Sequence, residues 1–214
     1  MRLYDYAASG NCYKVRLLLV LLRTTCERVP IDIFAGDTLT PEYGRINPVR
    51  ETPVLELDTG ETIAQSNAIL WHLAEGTTFL PVSRLERAHV VQWLSFEQER
   101  IMLGVGSTRF RRMTGRAALD PAADAARFAS GSKALELLDT HLSGRTFAVG
   151  ESCTIADLSL FAYTHVAGDG GFELSDYPAV VEWLDRIRNL PGYVNDLVPY
   201  PENAFPGRGR SIYD

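Results

Sequence analysis

The sequence predicts two domains, a small α/β domain followed by an all-helical domain. In the first third of the chain, apolar and polar residues alternate in short segments, as in β-strands. Beyond about residue 83 the apolar residues recur at helical spacing and no strand pattern returns. A length of 214 residues fits one large or two small domains. The division into domains therefore rests on the change in periodicity.

The first elements form a β-α-β unit. Residues 2–6 alternate and are rich in aromatics, which predicts a strand, and a break follows at residues 9–11. Residues 13–23 carry apolar side chains at helical spacing, and residues 27–34 alternate again. Such a unit usually places its two strands parallel, with a right-handed crossover.

A β-hairpin and a second helix complete the first domain. Residues 35–50 form a polar loop with several prolines and glycines. Residues 52–57 and 61–63 then flank an Asp-Thr-Gly turn, which predicts two antiparallel strands. Ser66 is the expected N-cap of the helix that follows.

The rest of the chain is predicted to be helical, ending in a tail rich in proline and glycine that either wraps the surface or is disordered. Four helical stretches are expected, at about residues 84–113, 121–141, 154–166 and 178–189. We expect three regions: a first domain of residues 1–78, a helical domain of residues 84–196 and a tail of residues 197–214.

Composition excludes several classes of protein. A net charge of −6 argues against binding to nucleic acid or to an anionic membrane surface, and no apolar run approaches the length of a membrane span. No signal-peptide pattern is present, so we expect a cytoplasmic protein. Three widely spaced cysteines favour free thiols over disulfides, and the four scattered histidines give no metal site.

Four motifs, in this order, resemble those of the soluble glutathione transferases. The Ser-Gly-Asn turn further resembles the bacterial and fungal branches that have Ser or Thr, then Asn, at this turn. The resemblance implies a thioredoxin-like β-α-β-β-β-α domain that binds glutathione and an all-helical domain that lines the second-substrate pocket. The motifs are Ser9-Gly10-Asn11-Cys12, Asn47-Pro48 through Thr52-Pro53-Val54-Leu55, Gln65-Ser66-Asn67-Ala68-Ile69 and Gly150 through Asp157.

The turn at Ser9 is the expected catalytic centre. A free thiol titrates near about 8.5, so a transferase must favour the charged sulfur of glutathione. Ser9 precedes a helix, where a hydroxyl donor, backbone N–H groups and the helix dipole all stabilise an anion. Ser9 as a plain N-cap and Asn11 as a plain turn residue are the alternatives to their roles as donors. Cys12 is expected to be a buried core residue.

The resemblance also implies the residues that hold the peptide of glutathione. Thr52, before a cis Pro53, would pair with the cysteinyl backbone, and Ser66 would receive the γ-glutamyl carboxylate. Gln65 replaces the usual acidic residue and offers the γ-glutamyl ammonium a weaker, uncharged acceptor. Arg50 either reaches the glycyl carboxylate or is a solvated loop arginine. Pro53 as an ordinary strand-edge proline is a further alternative.

The expected function is a homodimeric glutathione transferase that conjugates glutathione to small hydrophobic electrophiles in detoxification. Glutathione is the co-substrate and no metal is involved. A glutathione-dependent disulfide or peroxide reductase is one alternative. A non-catalytic, transferase-like binding protein is another.

Overall fold

The computed structural model describes residues 1–213, which divide into two compact units. The first contains residues 1–73 together with residues 194–213, and the second contains residues 74–193. The segment from residue 197, expected from the sequence to be a separate tail, thus lies in the first unit.

The first unit is built on a four-stranded mixed sheet, which confirms the predicted α/β fold. The order of the strands is β2-β1-β3-β4, with β1 parallel to β2 and antiparallel to β3, and β3 antiparallel to β4. The strands are β1 (Arg2–Asp5), β2 (Glu27–Pro30), β3 (Val54–Glu56) and β4 (Thr62–Ala64), and the helices are α1 (Gly10–Leu21), α2 (Pro41–Ile46) and α3 (Ser66–Ala74).

Each face of the sheet has its own apolar cluster. On one face, Leu3 and Leu55 from the sheet pack with Val15 of α1 and Ile69 of α3, all fully buried. Burial of a side chain of this size contributes about 1.5–3 kcal/mol. The other face carries Tyr4, Val54 and Tyr43 of α2. Helices therefore cover both faces, and α1 and α3 are held on the same side of the sheet.

The helix α2 was not predicted, because residues 35–50 were interpreted as a loop. Its start nevertheless has a sequence signal. The side chain of Thr40 accepts a hydrogen bond from the backbone N–H of Tyr43 (3.2 Å), and Pro41 occupies the first helical turn. A threonine cap followed by proline is a preferred helix start.

The second predicted strand, residues 27–34, is too long, since β2 ends at Pro30. The reason lies in Asp32, whose Oδ1 accepts from the backbone N–H groups of Phe34 (2.9 Å) and Ala35 (3.1 Å). An aspartate that bonds the backbone two residues later favours a turn over a strand.

Residues 194–213 contact the rest of the first unit through ion pairs of Asp196, which is partly exposed. Asp196 accepts from Nε of Arg16 (2.8 Å) and Nη1 of Arg28 (3.1 Å). The same two arginines bind Asp5 at the end of β1, and Arg16 and Asp5 are each only 3% exposed. Only the Arg16–Asp5 pair is buried on both sides, and Asp196 extends this cluster to the chain after residue 194.

The second unit is all-helical, as predicted. The expected first stretch is one continuous helix whose middle, Glu97–Gly106, is π-helical. No helix among residues 1–213 is both long and apolar enough to cross a membrane. The helices are α4 (Arg84–Phe96), α5 (Ser107–Met113), α6 (Pro121–Leu142), α7 (Ile155–Thr164) and α8 (Pro178–Arg188).

Candidate functional site

Ser9 caps the N-terminus of α1. Its backbone is extended, and its Oγ accepts from the backbone N–H of Cys12 at 3.3 Å. The first turn of α1 contains no acidic residue. The first N–H groups of a helix have no partner within the helix and carry its positive dipole end. The turn can therefore receive an anion, with the Ser9 hydroxyl as an additional donor.

Cys12 lies beneath this turn and is fully buried. Burial raises the pKa of its thiol to about 11, although hydrogen bonds involving Thr52, the backbone of Tyr6 and Ser9 act in the opposite direction. The backbone N–H of Tyr6 donates to Sγ at 3.3 Å. A thiol with this pKa is protonated at neutral pH, so Cys12 is not itself a nucleophile there. Its contacts bring Ser9 and Thr52 to one place.

Asn11 connects α1 to α3. Its Oδ1 accepts from Nζ of Lys14 at 2.9 Å and from Oγ of Ser66 at 3.3 Å. Two of the predicted site residues, Asn11 and Ser66, are thus in direct contact although 55 positions apart. Lys14 belongs to the same cluster, and the pattern of the sequence alone did not place it there.

Gln65 and Ser66 form the start of α3. The carbonyl of Gln65 accepts from the N–H of Ile69 (3.0 Å), so Gln65 takes the cap position that was expected for Ser66. Gln65 has a φ of 74°, in the left-handed region that few residues other than glycine adopt. The hydroxyl of Ser66 points to Asn11 instead of capping the helix.

Thr52 lies just outside the sheet. The Thr52–Pro53 peptide bond is cis, as the family resemblance implies. Pairing between β1 and β3 ends at Val54, so the backbone of Thr52 takes no part in that ladder. An exposed N–H and C=O at the end of a strand can pair with an extended peptide.

Arg50 is bonded to the loop before α2, and its contact with the glycyl carboxylate stays a prediction. Its Nη1 donates to the carbonyls of Thr38 and Thr40, each at 2.8 Å, so it supports the loop before α2. The guanidinium passes close to Gly44, where a Cβ would lie 2.7 Å from Nη2. Within residues 1–213, Nε and Nη2 of Arg50 form no hydrogen bond. They are the donors that remain for a carboxylate.

The chemistry of the cluster is that of an anion-binding peptide site. It combines a helix N-terminus, hydroxyl and amide donors and an unpaired backbone segment, all in the first unit. Among residues 1–213, no group of three or more His, Cys, Asp and Glu side chains is arranged to hold a metal ion.

Comparison with known proteins gives matches in both units. Residues 8–75 match the family model of the glutathione S-transferase N-terminal domain, and residues 116–191 match that of the C-terminal domain. A solved glutathione S-transferase from Xanthobacter autotrophicus py2 is 40% identical, with a TM-score of 0.88, over 92% of this chain and 97% of that one. A family member from Pseudomonas fluorescens pf-5, solved with two glutathione bound, is 25% identical, with a TM-score of 0.79, over 92% of this chain and 91% of that one.

The chain is also similar to proteins named elongation factor 1-gamma. Elongation factor 1-gamma 1 from Oryza sativa subsp. japonica is 34% identical over 164 residues, which are 72% of this chain and 38% of that protein. The chain spans less than half the length of the elongation factor relatives that it matches.

Proposed function

This chain belongs to the glutathione S-transferase superfamily, and on that premise we propose that it conjugates the thiolate of glutathione to small hydrophobic electrophiles. The observation that carries the proposal is the start of α1. Ser9 and Asn11 place a hydroxyl and an amide beside backbone N–H groups, and no acidic side chain competes for them. Such a site favours a thiolate over a thiol.

The peptide of glutathione would lie along the same face of the first unit. In this proposal the backbone of Thr52, next to Pro53, pairs with the cysteinyl unit, and Ser66 receives the γ-glutamyl carboxylate at the start of α3. Gln65 accepts from the γ-glutamyl ammonium. Arg50 offers Nε and Nη2 to the glycyl carboxylate, while its Nη1 holds the loop.

The wider setting is part of the proposal. Residues 1–78 would form the glutathione-binding domain and residues 84–196 the domain that selects the electrophile. We further propose a cytoplasmic homodimer that acts in detoxification. Sedimentation at micromolar concentration then gives a mass near twice 23.8 kDa, and a monomer would contradict the dimer.

A second candidate is a non-catalytic, transferase-like binding protein, favoured by the similarity to elongation factor 1-gamma. A glutathione-dependent disulfide or peroxide reductase is the other alternative. Cys12 is buried and its thiol pKa is raised to about 11, so such a reaction would use the glutathione thiol alone.

The test measures glutathione binding by calorimetry and turnover with an aryl halide and with a glutathione mixed disulfide. We expect binding, turnover of the aryl halide, and about 1–3 kcal/mol weaker binding in Ser66→Ala, because a hydrogen bond to a charged group is lost. Binding without turnover of either substrate would favour the non-catalytic protein. Turnover of the disulfide alone would favour the reductase.

A further inference from the structure

Lys14 is a charged residue buried inside the candidate site. It lies on α1 and its side chain is fully buried, although lysine is almost never fully buried in proteins without a partner. Its Nζ donates to Oδ1 of Asn11 at 2.9 Å. We propose that Lys14 is a positioning residue for thiolate formation. It fixes the side-chain amide of Asn11 so that the Nδ2 donor is presented to the sulfur of glutathione.

The argument begins with the chemistry of the two groups. An asparagine amide has an oxygen that accepts and a nitrogen that donates, with nearly the same shape, so either can face a given neighbour. A lysine ammonium only donates. The Asn11 atom that faces Lys14 must therefore be the oxygen, and the opposite orientation would place amide hydrogens against ammonium hydrogens.

A second donor strengthens the same orientation. Ser66, from α3, directs its hydroxyl to Oδ1 of Asn11 at 3.3 Å. A flipped amide would lose the bond to Lys14 and could keep the one to Ser66 only if the hydroxyl turned to accept. Because Lys14 cannot accept and Ser66 can, the ammonium decides which way the amide points.

The other end of the amide is available. Asn11 is half-buried, and no hydrogen bond from its Nδ2 forms within residues 1–213. Asn11 is the second residue of α1, beside the backbone N–H groups of the helix start. Two N–H donors held there favour a charged sulfur over a neutral one. An Asn11 amide without a fixed orientation would sometimes point its oxygen at the sulfur, and this partially negative oxygen repels a thiolate.

The inference deepens the proposed function and depends on it. It assigns Lys14 no contact with glutathione, since the residue acts through Asn11. Lys14 could instead lower the thiol pKa directly through its positive charge. A double-mutant cycle separates the two effects, because a residue that acts only through Asn11 has nothing to act on once that amide is removed.

The experiment measures the pKa of the bound glutathione thiol, from thiolate absorbance against pH at saturating glutathione. The proteins are the unaltered chain, Lys14→Met, Lys14→Arg, Asn11→Ala and the Lys14→Met/Asn11→Ala double variant. We expect Lys14→Met and Asn11→Ala each to raise this pKa by about half a unit to one unit, which is about three- to tenfold less thiolate at neutral pH. In Lys14→Arg, whose guanidinium also only donates, we expect the thiol pKa to rise by less than about half of that amount. The double variant matches Asn11→Ala.

Two results would overturn the proposal: no shift in Lys14→Met, or a full further shift when it is added to Asn11→Ala. If Lys14→Met does not fold, the cycle is run with Lys14→Leu, which also removes the donor to Asn11. An unchanged pKa in this variant would also overturn the proposal. The thiol pKa of glutathione bound to the unaltered chain separates a failure of the proposed function from a failure of this inference. If it holds no ionised glutathione, the proposed function fails and takes this inference with it. If it does and Lys14 has no effect, only this inference fails.

Discussion

Two helix starts, one in each unit, differ in whether an acidic side chain already accepts the hydrogen bonds available there. Both α1 and α7 follow a hydroxyl residue, Ser9 and Thr154. At α7 the Thr154 cap is joined by Asp157 in a capping box. At α1 no acidic residue stands in the first turn. The cap types are alike, but only α7 carries its own anion.

At α7 the hydrogen-bonding capacity is used up. Oδ1 of Asp157 accepts from the N–H of Ala148 (2.8 Å) and Nε1 of Trp183 (3.0 Å), and Oδ2 accepts from N (2.9 Å) and Oγ1 (3.0 Å) of Thr154. Burial raises the pKa of this carboxyl, and these four bonds oppose that effect. A helix start closed in this way stabilises the fold.

At α1 no acidic side chain stands in the first turn, so the N–H groups at the helix start remain as donors. The Ser9 oxygen accepts a long bond, 3.3 Å, from the Cys12 N–H, and the residue beneath it is a thiol whose raised pKa keeps it neutral. We infer that an N-cap serine can belong to an anion-binding site when no acidic residue stands in the first turn of its helix. The following predictions test this contrast, from the largest expected effect to the smallest.

The largest effect is expected at the saturated start. Asp157→Ala leaves four donors without their acceptor in the interior of the second unit, so we expect about 3–5 kcal/mol lower free energy of unfolding. We expect Asp157→Asn, which keeps the size of the side chain and one accepting oxygen, to lower the free energy of unfolding by less. Urea unfolding measures both. A loss below about 1 kcal/mol in Asp157→Ala would show that this carboxylate is not the anchor of α7.

The next effect concerns pH and Cys12. Its folded-state pKa is raised from an ordinary value near 9.0 to about 11, so the unfolded chain releases this proton first as the pH rises. The stabilisation is complete below about pH 9 and is lost towards pH 11, an effect of about 3 kcal/mol for two pKa units. Unfolding of the parent and of Cys12→Ala across this range isolates the contribution. We expect the difference between the two free energies to shrink as the pH rises.

A constant difference between pH 9 and 11 would contradict the raised pKa of Cys12. The cavity left by the Cys12→Ala substitution lowers stability by the same amount at every pH, so it does not affect this comparison. The same pKa predicts that a thiol-alkylating reagent leaves Cys12 unmodified in the folded protein at pH 7.5, and mass spectrometry of the peptides checks this.

The smallest effect is expected from the caps themselves. Thr154→Ala and Ser9→Ala each remove a cap, which costs about 0.5–2 kcal/mol, and Ser9→Ala should lie at the lower end because its bond is long. Urea unfolding of the two variants makes the comparison. A Ser9→Ala loss larger than that of Thr154→Ala would mean that Ser9 is primarily a stabilising cap.

The regular elements were largely predictable because they rest on local patterns. The alternating strands, the Asp58-Thr59-Gly60 hairpin turn and the helical stripes of the second unit are each encoded within a few neighbouring residues. The errors were local too. A side chain that bonds its own backbone, as Asp32 does, ends a strand that apolar alternation alone would extend.

The contacts of the candidate site were less predictable because they join distant segments. The bond between Asn11 and Ser66 spans 55 positions, and the ion pair between Arg16 and Asp196 spans 180. The family resemblance named Asn11 and Ser66 but not their contact, and nothing local marks Lys14 as buried. Arg50 shows the same limit, because its carbonyl partners are fixed only when the loop before α2 is in place.

The most direct test of the account is the pKa of the glutathione thiol bound at the start of α1. Thiolate absorbance is followed against pH for the parent, Ser9→Ala and Thr154→Ala, the last being a cap variant of the other helix start. In the parent, we expect the pKa of the bound thiol to lie below the free value of about 8.5. Relative to the parent, we expect this pKa to be about one unit higher in Ser9→Ala and unchanged in Thr154→Ala. A titration that is the same in all three proteins would contradict the assignment of the thiolate site to Ser9.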